Sequence, residues 1–233
     1  MAKRKEVAQV ADNLQDDTLV DISQVGSQAS AFWDKYGKII TYVGGGLVLL
    51  VAGYLAYKNL YIAPKQKEAV NQMYQAQAMF ERDSFDLALN NPGGGNLGFL
   101  DVINQFGATP AGNSAKYYAG ICYLNLGKFD EAIKQLEDFK CEGSVLPIMK
   151  HSALGDAYSE SGNMAKAASA YDDAVDAGNN DALTPMVTKK LAMLKENQND
   201  KAAALKLYQS IKEKYPQSVE AMDVDKFIIR TSK

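Results

Sequence analysis

The sequence predicts an all-α protein: one apolar, membrane-crossing helix near the N-terminus, then a stack of about four helical hairpins. Three observations predict it. Ile39 to Tyr57 carries no charged residue and is closed by Lys38 and Lys58. Gly120, Tyr123, Gly127 and Ala132 recur thirty-five positions later as Gly155, Tyr158, Gly162 and Ala167, so the chain contains an internal repeat. Within that repeat the apolar residues fall three or four apart, which is the period of an amphipathic helix.

The repeat unit explains itself chemically. Tyr117, Ile121 and Leu124 mark one helix face, and Ile133, Leu136 and Phe139 mark a second. Between them Leu126-Gly127-Lys128-Phe129-Asp130 supplies the break, because glycine relieves the φ penalty at a helix stop and Asp130 can cap the next helix. Gly120 and Ala132 are small where paired helices approach, and Tyr123 fills the gap beside them. The unit resembles the tetratricopeptide repeat, a helix-turn-helix of about 34 residues. A third copy follows at an offset of thirty-seven, with Ala192, Asn199, Ala204, Tyr208 and Ile211 in the places of Gly155, Gly162, Ala167, Tyr171 and Ala174. Asn199 replaces the turn glycine and Lys195 the tyrosine; asparagine tolerates the left-handed conformation that a helix stop requires.

The remaining elements follow in chain order. Residues 1–23 are polar, with Lys3-Arg4-Lys5 followed by Asp12, Asp16, Asp17 and Asp21; they lack the apolar density that offsets ordering entropy and read as a disordered tail. In 24–37, Val25, Ala29, Phe32, Trp33 and Tyr36 share a helical face near Lys35 and Lys38. This fits a juxtamembrane interfacial helix, or equally an extension of the helix that follows or a loop. Residues 38–61 form the anchor: the nineteen uncharged residues from Ile39, at about 1.5 Å each, match the hydrocarbon thickness. Trp33, Tyr36, Tyr42, Tyr54, Tyr57 and Tyr61 lie at its two ends like interfacial aromatic belts. No small-residue cleavage site follows between Tyr54 and Pro64, which argues against a cleaved signal peptide.

Thr41, Gly45, Ala52 and Ala56 fall within one narrow arc of that helix. Small residues on a face let a second membrane helix approach closely, so the stripe is a candidate packing surface; the alternative is that the glycines are merely tolerated in lipid. Charge does not orient the span. Lys35 and Lys38 precede it against Lys58, Lys65 and Lys67 after it, and adding Lys3, Arg4 and Lys5 reverses the balance.

The repeat domain is expected over 65–233. Val70, Met73, Tyr74, Ala78 and Phe80 to Phe85 predict a long helix, with Pro64 in its first turn. Asn90 to Asn96 is a loop, and Leu97 to Phe106 a short apolar helix. Residues 65–112 are therefore a degenerate first repeat with an insertion, followed by repeats at 113–147, 148–184 and 185–218. A capping helix over 219–233 closes the stack, as repeat arrays require.

Composition and motifs exclude several chemistries. With 47% apolar residues and a net charge of −3, the chain has a core but no concentrated cationic surface for nucleic acid. The glycine run at Gly93 lacks a following Lys-Ser or Lys-Thr pair and is a turn. Two cysteines and one histidine, His151, are too few for a four-ligand zinc site, and no nucleophile signature is present. Neither a catalytic residue, a metal nor a cofactor is expected. Cys122 and Cys141 lie at different distances from the Gly127 turn, so in antiparallel helices they differ in height by about 12 Å, beyond disulfide reach. Cys122 reads as a small core residue.

The resemblance to tetratricopeptide repeats implies that first helices line a groove for extended peptides or partner helices. Its inward residues are Tyr117, Ile121, Leu124, Asn125, Met149, Ser152, Asp156, Ser159, Lys189 and Met193. The alternative is that Ile121, Leu124 and Met149 pack under the Lys65 helix. From Ile39 onward the plan also resembles the bacterial YfgM-like family of single-span proteins with extracytoplasmic repeats, known as ancillary subunits of the Sec translocon. That resemblance is carried most strongly by Ala115 to Asp138. It implies a bacterial inner-membrane location, a cytoplasmic N-terminus, periplasmic repeats, and contact with the SecYEG channel, periplasmic chaperones or emerging unfolded chains. Competing expectations are a scaffold for another envelope complex and a cytosol-facing import receptor.

Overall fold

The computed structural model describes residues 22–232, with side chains from residue 32. Most of the tail expected at 1–23, and the Val25 and Ala29 side chains of the expected interfacial helix, lie outside the described residues. Among the described residues every regular element is helical, and the chain divides between Asn59 and Leu60 into two units.

In the first unit one helix, α1, covers Ile22–Ala56. It shows no break near Gly37, so the segments expected at 24–37 and 38–61 belong to one run of helical backbone. Phe32 and Tyr36 stack at 5.0 Å on it. From Ile39 to Leu60 every residue is exposed, and this is the helix that is long and apolar enough to cross a membrane. A Cβ added at Gly44, Gly45, Gly46 or Gly53 would meet nothing within 4 Å. Thr41 satisfies its hydroxyl on the Gly37 carbonyl at 2.8 Å, the usual solution for threonine in an apolar helix. A widened π-type turn over Tyr57–Ile62 spans the division between the units.

The second unit contains α2 (Ala63–Phe80), α3 (Phe85–Asn90), α4 (Phe99–Phe106), α5 (Pro110–Asn125), α6 (Phe129–Asp138), α7 (Leu146–Glu160), α8 (Met164–Asp176), α9 (Leu183–Asn197), α10 (Lys201–Lys214) and α11 (Val219–Thr231). The pairs α5/α6, α7/α8 and α9/α10 are the three copies read from the sequence. Each pair turns in the same way. Gly127, Gly162 and Asn199 have φ of 70°, 82° and 62°, and immediately after them Lys128, Asn163 and Asp200 donate their N–H to the carbonyls of Tyr123, Tyr158 and Lys195 at 2.9, 2.8 and 2.9 Å. This is the Schellman closure of a helix end. Asn199 thus does the work of a glycine.

The start of the second helix in each pair departs from expectation in one copy. Asn163 and Asp200 accept from the N–H groups of Lys166 and Ala203 at 3.2 and 3.1 Å, which are side-chain caps. In the first copy Lys128 stands at that place and gives none, while Asp130 lies inside the first turn of α6. Asp130 is therefore not the cap; its charge faces the positive end of the helix dipole instead.

Close approach also explains the small residues. A Cβ on Gly120 would sit 2.6 Å from Leu136 Cγ, and one on Gly155 would sit 2.4 Å from the Tyr171 ring. In the third copy Ala192 shares a buried cluster with Tyr208. Cys122 is buried and Cys141 half-buried, both as free thiols; burial pushes the Cys122 thiol up to about 12.

The helix expected to run from Val70 toward Phe85 stops at Phe80. Asp83 takes φ of 55°, and Ser84 N–H returns to the Met79 carbonyl at 2.9 Å. The chain then folds back as α3. Phe80 meets Phe85, Phe99 and Tyr118 edge-on at 5.7, 6.3 and 5.2 Å. That aromatic group joins α2, α4 and α5 into one core with Met73, Leu89, Val102 and Phe106.

Candidate interaction cleft

Three successive first helices, α5, α7 and α9, line an open cleft of about 210 Å³. From α5 come Tyr117 and Ile121; from α7 Ile148, Met149, Ser152, Ala153 and Asp156; from α9 Leu183, Met186 and Lys190. The walls are largely aliphatic, aromatic and methionine, which adapt to varied apolar partners. Tyr117 and Ile121 also pack on the cluster of Leu136, Ala153, Leu154 and Ala170, so the cleft wall is braced from behind. Ile121 thus belongs to the α6–α8 side and is no part of the cluster under α2.

One charged node sits in the cleft. Asp156 accepts from Lys190 Nζ at 2.8 and 2.6 Å and from the Tyr171 hydroxyl at 2.7 Å. The ammonium neutralises the carboxylate, and the pair ties α7 to α9 across two repeats. Burial, and then the neighbouring Asp156 charge, hold the Tyr171 phenol well above its ordinary value, so it remains a donor. Burial and the charges of Tyr118 and Asp156 also raise Tyr117. The node is thus closed on itself, leaving an apolar cleft with a neutralised polar floor.

Of the residues expected to line a groove, the cleft gathers Tyr117, Ile121, Met149, Ser152 and Asp156. The others stand elsewhere. Asn125 turns its amide onto the Ile121 carbonyl at 2.9 Å, and Ser159 lies 4.0 Å from the Met164 sulfur. Lys189 pairs with Asp223 on α11 at 2.8 Å, and Leu124 and Met193 are outside the lining, Met193 being exposed. Lys190, Met186 and Leu183 were not among the expected residues. The signal for Lys190 was its spacing of 34 from Asp156, a separation that recurs in Lys189–Asp223 and Glu196–Arg230.

His151 lies 3.9 Å from Asp173, and burial holds its imidazole below the ordinary value against the pull of that carboxylate. Among the described residues no three His, Cys, Asp or Glu side chains converge as metal ligands would.

A stack of helical hairpins with a cleft between first helices is the architecture of repeat proteins that mediate protein-protein contact. Comparison with known families agrees: tetratricopeptide-repeat models match residues 114–140 and 152–219. Those two stretches are therefore matched as tetratricopeptide repeats, in a chain that has, among the described residues, one apolar helix near its N-terminus. Comparison with curated proteins gives no match.

Proposed function

We propose that this protein is a membrane-anchored, noncatalytic adaptor that holds an apolar stretch of another polypeptide in the cleft between α5, α7 and α9. The observation that carries the reading is the cleft itself. Its walls are apolar and open, while its one carboxylate is already satisfied by Lys190 and Tyr171, so burying an apolar side chain there leaves no charge unpaired. In this reading α1 crosses the membrane, and Thr41, Gly45, Ala52 and Ala56 form the face on which a neighbouring membrane helix packs.

The finer reading is an ancillary subunit of a SecYEG-type protein-export channel in a bacterial inner membrane. Its N-terminus would be cytoplasmic and its repeats periplasmic, meeting the channel, periplasmic chaperones or emerging chains. Support comes from the combination of one apolar helix with tetratricopeptide repeats and from the resemblance to the YfgM-like family. Affinity purification from native membranes tests it: translocon components should copurify with the intact chain and be retained less by Ile121→Asp. Recovery of a different stable complex would reject the translocon reading and leave the adaptor reading standing. Protease protection of the repeats in sealed vesicles decides the orientation, and digestion from the cytosolic side would overturn the topology given above.

A further inference from the structure

The last helix is held to the stack by unusual means. α11 and α8 are both thirteen residues long, yet α8 buries Ala167, Ala168, Ala170, Tyr171 and Ala174 while α11 buries only Val224 and Thr231. Val224, with Ala221, Phe227 and Ile228 partly buried beside it, packs on the cluster of Ala192, Ala204, Tyr208 and Ile211, and α11 is further tied by ion pairs to two other helices. Asp223 meets Lys189 at 2.8 Å, Asp225 meets Lys212 at 2.6 Å, and Arg230 grips Glu196 through Nε and Nη2, both at 2.6 Å. Between these ties Phe227 stacks on Tyr208 at 5.1 Å, with Lys189, Lys226 and Arg230 at 5.2, 4.9 and 4.9 Å from its ring centre. Cation–ring and exposed ion-pair contacts both weaken where water and salt reach them.

On its outer side α11 exposes Val219, Met222 and Ile229, at 75%, 80% and 59%, so among the described residues no helix covers that side. Its connection to α10 is short and contains Pro216; Ser218 caps its first turn by accepting from Ala221 N–H at 3.2 Å. The helix is thus a separately capped unit joined through a proline-containing link.

We propose that α11 is a displaceable latch, which leaves and rejoins the α9–α10 face as a unit while α5 to α10 stay folded. Ionic attachment sets its hold, and ionic strength is its control. When it leaves, Lys189, Glu196 and the Tyr208 ring face become available to another helix that carries an acid, an aromatic and a base in the spacing of Asp223, Phe227 and Arg230.

Hydrogen exchange on the full chain in detergent micelles tests this. Raising salt from about 0.05 M to about 0.5 M shortens the screening length several-fold. Amides of α11 should then exchange about ten-fold faster, as the weakening of three ion pairs with at least one water-exposed partner each implies, while those of α7 and α8 keep their rates. Lys212→Glu should speed α11 exchange at low salt, and adding Asp225→Lys should restore protection. Unchanged α11 rates in salt, acceleration of α7 to α10 in step with α11, or failure of the charge swap to restore protection would each overturn the proposal.

Discussion

The two ends of the second unit are both helical and are held together by different physics. At α2 to α5, Phe80, Phe99, Tyr118 and Phe106 share a single apolar cluster with Met73, Leu89 and Val102. At α9 to α11 the buried cluster is Ala192, Ala204, Tyr208, Ile211 and Val224, supplemented by ion pairs at the surface. Repeat arrays are stabilised unit by unit through their nearest neighbours. The contrast predicts that the α2 to α5 end is insensitive to salt and acid and that the α9 to α11 end responds to them.

The strongest way to break the contrast is Phe99→Ala. Phe99 is fully buried and stacks on Tyr118 at 5.1 Å, so its loss should destabilise α2 to α5 by about 3–5 kcal/mol. Site-resolved hydrogen exchange should show α9 to α11 unaffected; melting of the whole array together would erase the distinction. Gly155→Ala attacks the junction between the ends. The added Cβ collides with the Tyr171 ring, which is pinned by its bond to Asp156, and the expected loss is about 1–3 kcal/mol in denaturant unfolding.

Smaller changes sharpen the picture at the C-terminal end. Tyr208→Phe keeps the stack on Phe227 but removes the hydroxyl donated to Glu196 at 3.1 Å, for an expected cost of about 1 kcal/mol confined to α9–α11. Asn199→Gly relieves a positive φ and should stabilise the same hairpin by less than about 1 kcal/mol. Acid should act in the same place. Glu196 is held below its ordinary 4.5, chiefly by its hydrogen bond from Arg230, and Lys189 and Lys226 hold Asp223 down likewise. A carboxylate with a lowered folded value contributes stability above its unfolded value and loses it as pH falls through the folded one. The protection of α11 amides, corrected for the fall of intrinsic exchange in acid, should therefore drop as pH falls below the ordinary carboxylate values of these groups, before that of α2 to α5.

Much of this was legible in the sequence because the hairpin depends on a few positions that tolerate little else. Gly120 and Gly155 lie where a Cβ collides, and Gly127, Gly162 and Asn199 lie where φ is positive. Those constraints repeat with the unit, so an offset finds them. Lys128 broke the capping pattern, and Asp130, two residues on, looked like a substitute because sequence gives no φ. The break at Asp83 was hidden for a similar reason, since aspartate adopts the left-handed region without the signature of glycine.

The cleft was half legible, and the missing half has a geometric cause. Offsets identify equivalent faces of successive helices, whereas a cleft needs facing ones. On α9 the side turned toward α7 carries Met186 and Lys190, while Lys189 reaches forward to Asp223 on α11. Opposite charges 34 apart include the three facing pairs Asp156–Lys190, Lys189–Asp223 and Glu196–Arg230, but also Lys67/Asp101, Lys166/Asp200 and Asp172/Lys206, so the spacing narrows the search and the fold selects.

The most direct test places a photo-activatable side chain at Met186, on the cleft wall, in the full chain within native membranes. Irradiation should give discrete adducts with other polypeptides, lost when Ile121→Asp is added and absent when the same probe stands instead at exposed Met193. Adducts that are absent, or that appear equally from Met193, would contradict a polypeptide-holding cleft.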